Sequence, residues 1–159
     1  MSFYRKDYFW VEQLKSNWLA IRSEYDAIAH NTTMWPEEQL HNNKWKVFGL
    51  TFFNKEVLSN KQHAPITSKI CDNIPGITTY GFSIMQPGCE ILPHKGYTDK
   101  VLRCHLGLYT NILSGIQVGD TVSNWDLGEV LIFDDTQLHS AWNRGYTDRV
   151  ILLLDFLKA

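Results

Sequence analysis

The sequence predicts a mainly β domain, built as a barrel or a double-sheet jelly roll, with helical structure near its N-terminus. Two observations predict this class. From Gly76 onward, short apolar segments alternate with turn sequences such as Pro87-Gly88, as in folds made of many short strands. Before His30, apolar residues instead recur at helical spacing. The 159 residues fit one domain that can bury a core.

The first predicted element is an amphipathic helix between Tyr4 and His30, with one break; its apolar positions include Phe9, and it covers one face of the β structure. A strand follows at Lys46–Phe53, and Pro65 can begin a short helix in a segment of ambiguous pattern. Turns that contain Gly and Asp separate the remaining predicted strands. These strands are Thr78–Met85, Glu90–Pro93, Val101–Tyr109, Ile116–Val118, Glu129–Phe133, Ser140–Asn143 and Arg149–Phe156.

The composition disfavours several classes of function. A formal net charge of −2 gives no reason to expect nucleic acid or an anionic membrane surface as a partner. No apolar run reaches the roughly 20 residues that span a bilayer, and no secretory signal is recognisable, so no membrane span is expected. The three cysteines lack C-x-x-C spacing, which disfavours a disulfide framework or a Cys-rich zinc site and favours a reducing cytoplasm.

Two predicted strands carry charged side chains among apolar ones. Arg103 and His105 are two residues apart, so a strand directs them to one face while Leu102 and Cys104 take the other. That polar face is either exposed or lines a polar cavity. Arg149 begins the apolar last strand, where it needs an anion: a bound dicarboxylate, or a carboxylate of the protein such as Asp155.

Two further histidines lie on segments that can meet across the mouth of a barrel. His94 follows Leu92-Pro93, and His139 ends the segment after Phe133. The common non-haem iron triad adds a carboxylate two residues after the first histidine, but that position is Gly96. Spacing alone therefore gives a two-histidine metal site only weak support.

Several segments, taken in order, carry a resemblance to a known family. They are Phe82–Met85 with Pro87-Gly88, Pro93-His94 with Gly96, Leu102-Arg103 with His105–Leu108, Trp125 with Gly128, Val130–Asp135, His139, Arg149 and Asp155. This set covers roughly residues 76–156 and resembles the aspartyl/asparaginyl β-hydroxylase family of Fe(II)/2-oxoglutarate-dependent oxygenases. The resemblance implies a double-stranded β-helix, a cupin-like jelly roll. It also implies one oxygenase domain over residues 1–159, with a helical or mixed support at 1–75 and a catalytic β-core at 76–159.

The resemblance further implies a metal site. His94 and His139 would ligate Fe(II), and Gly96 would agree with the family, whose hydroxylases can carry Gly where other oxygenases carry Asp. Asp135 would accept a hydrogen bond from iron-bound water. Its alternative role is to cap a turn.

The resemblance implies a site for the cosubstrate as well. Arg149 and Ser83 would bind the distal carboxylate of 2-oxoglutarate, while Arg103 and His105 would steady its metal-proximal end. O₂ would complete the reactants. The predicted activity is hydroxylation of an unactivated C–H bond, at the β-carbon of an amino-acid-like, peptide or carrier-bound substrate.

Two alternatives remain on the same scaffold. A halogenase would use the space beside Gly96 for chloride, and a non-catalytic jelly-roll domain would bind ligands without turnover. A zinc hydrolase fits less well, because catalytic zinc usually has three protein ligands and only two are apparent.

Overall fold

A computed structural model of the chain describes residues 3–4 and 7–158, which form four helices and two β-sheets. The helices are α1 (Val11–Ser16), α2 (Trp18–Ile28), α3 (Leu58–Lys61) and α4 (Pro65–Asp72), with a 3₁₀ turn at Glu38–Leu40. The strands are β1 (Thr33–Met34), β2 (Trp45–Phe52), β3 (Lys55–Glu56), β4 (Ile77–Met85), β5 (Glu90–His94), β6 (Val101–Tyr109), β7 (Ser114–Val118), β8 (Thr121–Ser123), β9 (Val130–Phe133), β10 (His139–Asn143) and β11 (Arg149–Leu157).

The strands form two antiparallel sheets. The larger has seven strands in the order β1-β2-β4-β11-β6-β9, with β3 paired to β2. The smaller has the order β5-β10-β7-β8. Chain neighbours such as β4 and β5 therefore lie in different sheets, as in a jelly roll. The predicted mainly β fold class is confirmed.

The N-terminal helices pack on the outer face of the larger sheet, as predicted. Leu14, Ile21 and Tyr25 share one buried cluster with sheet residues such as Phe82. The predicted single break in the helical region lies at Asn17, between α1 and α2. Phe9, which helical spacing placed with the apolar positions, precedes α1 and is 75% exposed. The first helix therefore begins at Val11, after the position that the apolar pattern indicated.

The inner face of the larger sheet meets the smaller sheet across a second cluster. Met85, Ile151 and Leu153 from the larger sheet pack with Ile91 and Ile116 from the smaller one. Alternation along each strand separates the two clusters, because successive side chains point to opposite faces. Side chains from the inner faces of both sheets surround the candidate site described below.

The structure adds elements that the sequence pattern did not reveal. Strands β1, β3 and β8 are only two or three residues long, too short to show a period. Strand β2 pairs with β4 along most of its length, so residues before position 75 contribute directly to the β-core. No helix in the described part of the chain has the length and hydropathy of a membrane span.

Candidate active site

Two cavities meet at the side chains of His94 and Arg103, which line both. The inner cavity lies between the sheets and is bounded by Ser83, His139 and Arg149, among others. The outer cleft has a volume of about 210 Å³. The buried polar side chains of the inner cavity therefore lie next to an outer cleft that is large enough to hold part of a small-molecule ligand.

His94 and His139 come together because β5 pairs with β10. The two residues are register partners, and their ring centroids are 4.3 Å apart. Each Nδ1 lies within hydrogen-bonding distance of a backbone carbonyl, at 2.7 Å from Leu92 O and 2.8 Å from Gln137 O. A carbonyl only accepts, so Nδ1 carries a proton in both rings, and Nε2 is the nitrogen available to a metal.

These rings have the form that metal ligands require. Burial lowers the pKa of His139 to about 4, so its imidazole is neutral at ordinary pH. A histidine ligand commonly donates its other ring N–H to a carbonyl or carboxylate, as both do here. No group of three or more His, Cys, Asp or Glu side chains arranged to hold a metal occurs among the described residues. The described residues would therefore offer a metal the histidine pair alone.

Asp135 fills the space where a side chain at position 96 would lie. A Cβ added to Gly96 would overlap the carboxyl carbon and both carboxyl oxygens of Asp135, and Gly96 N donates to Asp135 O at 2.6 Å. The φ of Gly96 lies outside the left-handed region, so space rather than backbone conformation excludes a side chain. The turn is capped by Asp134, which accepts from the backbone N–H and hydroxyl of Thr136.

The Asp135 carboxylate is buried without a hydrogen bond. Its residue is 0% exposed, and neither carboxyl oxygen has a hydrogen-bond partner, although Arg103 lies 3.5 Å from Oδ2. Burial raises the pKa of Asp135, and the Arg103 charge partly opposes that rise. A buried carboxylate in this state is stabilised by a hydrogen-bond donor or a cation, and His94 is among the residues that act on it electrostatically.

Arg149 lines the inner cavity, and no carboxylate of residues 3–4 and 7–158 neutralises it. The residue is 2% exposed, has no ion-pair partner among the described residues, and stacks over Trp125 at 4.5 Å. One terminal nitrogen donates to Ser83 Oγ at 3.1 Å, while Nε has no partner. Burial lowers the pKa of Arg149 to about 9, which leaves the guanidinium charged at neutral pH.

The Ser83 hydroxyl is oriented by two hydrogen bonds, one of them from Arg149. Its Oγ accepts from Arg149 and, at 2.9 Å, from the indole N–H of Trp45. A hydroxyl that accepts two hydrogen bonds still has its own proton to donate. The guanidinium and the hydroxyl can therefore bind one carboxylate together.

His105 has the opposite tautomer from the two paired histidines. The indole N–H of Trp125 donates to its Nδ1 at 3.1 Å, so Nδ1 is the acceptor and the ring proton lies on Nε2. Burial, followed by the charges of Arg149 and Arg103, lowers the pKa of His105 well below its usual range. His105 Nε2 is a buried donor with no partner in the described protein.

Arg103 is held differently from Arg149. Its Nε and one terminal nitrogen form a two-point ion pair with Asp155, at 2.8 and 3.0 Å. The Arg149–Asp155 pair considered from sequence is thus replaced by an Arg103–Asp155 pair on the neighbouring strand. Tyr97 also donates to Asp155, at 3.3 Å.

The residues present fit a metal with a dicarboxylate. All seven residues proposed from sequence lie in the two cavities or beside Gly96: Ser83, His94, Arg103, His105, Asp135, His139 and Arg149. Six buried side-chain N or O atoms lack a hydrogen-bond partner in the described residues, and four of them belong to His105, Asp135 and Arg149. Such atoms are rare in native interiors and mark places where a ligand is expected.

Sequence reasoning missed two supporting aromatics and one carboxylate. Trp45 orients Ser83, Trp125 sets the tautomer of His105, and Asp155 neutralises Arg103. Trp125 was part of the matching segments but had no assigned role, and Asp155 was considered only as a partner of Arg149. Trp45 lies outside those segments, and nothing in its strand pattern distinguished it from a core residue.

Comparison with known proteins identifies a family. The sequence profile described as Aspartyl/Asparaginyl beta-hydroxylase matches residues 15–159. An ornithine lipid ester-linked acyl 2-hydroxylase from Rhizobium tropici is 34% identical over 94% of this chain and 57% of its own length. The human aspartyl/asparaginyl beta-hydroxylase is 31% identical over 91% of this chain but only 20% of its own length. The chain therefore spans only part of these relatives.

Solved structures with low sequence identity share the fold. One is described as a predicted oxalate decarboxylase from Thermotoga maritima, with 14% identity, a TM-score of 0.55, and 79% of this chain and 91% of that chain covered. Another is a cupin-2 domain from Rhodospirillum rubrum, with 10% identity and a TM-score of 0.52 over 79% of this chain and 68% of that chain. The profile match covers most of the chain, and it coincides with a cupin-like jelly roll and a paired-histidine cavity. The chain belongs to the aspartyl/asparaginyl β-hydroxylase family.

Proposed function

We propose that this hydroxylase-family domain is an Fe(II)- and 2-oxoglutarate-dependent dioxygenase that hydroxylates an unactivated C–H bond. The overall reaction converts R–H, O₂ and 2-oxoglutarate into R–OH, succinate and CO₂. One oxygen atom enters the product and the other enters succinate. The protein binds and orients the reactants, and iron supplies the redox chemistry when bound.

The ring nitrogens of three histidines at the inner cavity carry this proposal. His94 and His139 lie beside each other with Nδ1 of each ring bonded to a carbonyl, so both offer Nε2 to a first-row metal. His105 instead turns an N–H toward the same cavity, which suits an anionic oxygen. One cavity thus offers ligands for a cation and donors for an anion.

The remaining residues divide the work of holding the cosubstrate. Arg149 and Ser83 bind the distal carboxylate of 2-oxoglutarate, with Trp45 fixing the Ser83 hydroxyl. His105 steadies the metal-proximal end, and Arg103 lies at the junction with the substrate cleft. Burial of these groups excludes water, which strengthens each electrostatic contact.

Asp135 favours hydroxylation over halogenation. Its carboxylate lies against Gly96, in the space where a halogenase would need chloride. A buried carboxylate there would repel a second anion and would accept a hydrogen bond from a water molecule. The water-acceptor role therefore fits this position better than a halide site.

The substrate is a separate proposal, because the relatives differ in theirs. The Rhizobium relative is named for an acyl chain of a lipid, and the human relative is named for aspartyl and asparaginyl residues. Either substrate presents an unactivated C–H bond. The two relatives are both longer proteins than this chain. The shared chemistry is hydroxylation at carbon.

The test measures cosubstrate turnover and product mass. Purified protein is supplied with Fe(II), 2-oxoglutarate and O₂, in chloride buffer and in sulfate buffer, with lipid and peptide extracts as substrates. We expect succinate to form, and one product to gain one oxygen atom in both buffers. A chlorinated product that forms only in chloride would replace the hydroxylase with a halogenase. Absence of 2-oxoglutarate binding and of succinate would refute the proposal altogether.

A further inference from the structure

We infer that the outer cleft binds an uncharged hydrocarbon chain, and that it selects against the acidic side chain of a peptide. This inference rests on the proposed function, since it names the substrate class of the same site. It departs from the amino-acid-like substrate that the sequence predicted. The argument uses the cleft walls, its charges and its position beside His94.

One part of the cleft wall is aromatic. Trp35, Phe52, Phe53 and Tyr97 line it, and Phe53 meets Tyr97 edge to face with ring centroids 5.0 Å apart. Phe53 and Tyr97 are both more than half exposed, although large aromatic rings are usually buried. Exposed aromatic rings around a concave surface are typical of a site that binds apolar ligands.

The charges of the cleft do not suit an acidic ligand. Three carboxylates line it, on Glu37, Asp135 and Asp155, against the two cations Arg103 and Lys95. Arg103 is already paired with Asp155 and lies 3.5 Å from Asp135. An incoming carboxylate would meet net negative charge and find no free guanidinium in the described cleft.

The position of the cleft links chain binding to the reaction. His94 and Gly96 line the cleft, and Tyr97 follows them on the same loop. A chain lying along the aromatic walls would place one of its carbons beside the proposed metal ligand His94. Lys95 is exposed at the rim, where it can contact a polar head group.

The inference predicts a dependence of affinity on chain length. Each methylene that enters the cleft is worth about 0.8 kcal/mol, which is roughly a fourfold gain in affinity. Calorimetric titration with N-acyl ethanolamides of increasing chain length measures this gain on the purified protein without turnover. The comparison probes are N-acetyl-aspartyl methylamide and its asparaginyl counterpart. We expect the aspartyl probe to bind no more tightly than the asparaginyl one.

A matched pair of variants tests whether the aromatic wall is responsible. Phe53 has a φ of 49°, a conformation that asparagine tolerates, so Phe53→Asn removes the ring while keeping the turn. We expect it to weaken binding of the longest chain about tenfold. Ile112→Asn removes an exposed apolar residue remote from the cleft and should change affinity less than about twofold.

The outcomes separate this inference from the proposed function. Affinity that is independent of chain length, or tighter binding of the aspartyl probe, would overturn the hydrocarbon cleft while 2-oxoglutarate turnover could still be intact. Chain-length dependence that Phe53→Asn abolishes, in a protein that never consumes 2-oxoglutarate, would support the cleft and refute the dioxygenase. Equal losses in Phe53→Asn and Ile112→Asn would also overturn the role of the wall.

Discussion

Replacing Asp135 with alanine is expected to stabilise the metal-free protein, whereas the same change at its neighbour Asp134 should destabilise it. The Asp135 carboxylate is fully buried and neither of its oxygens is hydrogen-bonded. The Asp134 carboxylate accepts from the Thr136 hydroxyl at 2.6 Å and its backbone N–H at 3.0 Å, and it pairs with Lys158 at 2.8 Å. The two adjacent aspartates therefore allow the removal of a carboxylate that lacks hydrogen bonds to be compared with the removal of one that has them.

The magnitude follows from these contacts. An unsatisfied buried polar group costs about 1–3 kcal/mol, so Asp135→Ala should raise the free energy of unfolding by about that amount. Arg103 stays compensated, because its two-point pair with Asp155 is untouched. Loss of the hydrogen bonds around Asp134 should lower the free energy of unfolding by about 1–2 kcal/mol.

Urea denaturation in the presence of a chelator measures both changes. We expect the midpoint to rise for Asp135→Ala and to fall for Asp134→Ala, with the same slope for both variants and the parent protein. If Asp135→Ala lowered the midpoint as Asp134→Ala does, the Asp135 carboxylate would have a stabilising partner in the fold. Its proposed role toward metal-bound water would then lose its physical basis.

Three further predictions concern the same site. His94→Ala or His139→Ala should abolish Fe(II) binding measured by calorimetry, because each variant removes one of the two proposed protein ligands. Unchanged Fe(II) affinity in both variants would show that these histidines are not the metal ligands. Arg149→Lys should weaken 2-oxoglutarate binding by about 1.5–3 kcal/mol, since a point charge cannot replace the guanidinium fork; parent-like binding would assign Arg149 another partner. Gly96→Ala should destabilise the fold by about 1–3 kcal/mol, because the added methyl group overlaps the Asp135 carboxyl group. Adding Asp135→Ala to the same chain should restore most of the lost free energy of unfolding. If the two substitutions had additive effects in denaturation, the two positions would not compete for space.

The sequence predicted the β-core well because its signals are local. Alternation along β6 places Arg103 and His105 on one face and Leu102 and Cys104 on the other, and the structure buries both sets in separate environments. Turn residues such as Pro87-Gly88 bound the strands where they were expected. Strand pairing could not be derived from pattern alone, because the partners of a strand lie far away in the chain.

The site was predictable only in part, for the same physical reason. The resemblance named the polar residues, but their protonation and pairing depend on contacts between distant segments. Asp155 is the clearest case: the sequence offered it to Arg149 on its own strand, whereas the fold pairs it with Arg103 on β6. Trp45 acts through Ser83, 38 residues later, so no local period could reveal its role.

The opposing charges in the buried site also bear on the non-catalytic alternative. A domain that only bound a dicarboxylate would gain from Arg149, Ser83 and His105, which are donors to an anion. Asp135 would weaken such binding, because a buried carboxylate repels the ligand and costs stability when none of the described residues donates a hydrogen bond to it. The Asp135 carboxylate would instead stabilise the bound state if a cation, or a water molecule polarised by a cation, lay between it and the anion. The combination of anion donors with an unsatisfied carboxylate therefore favours a metal-assisted reaction over simple binding.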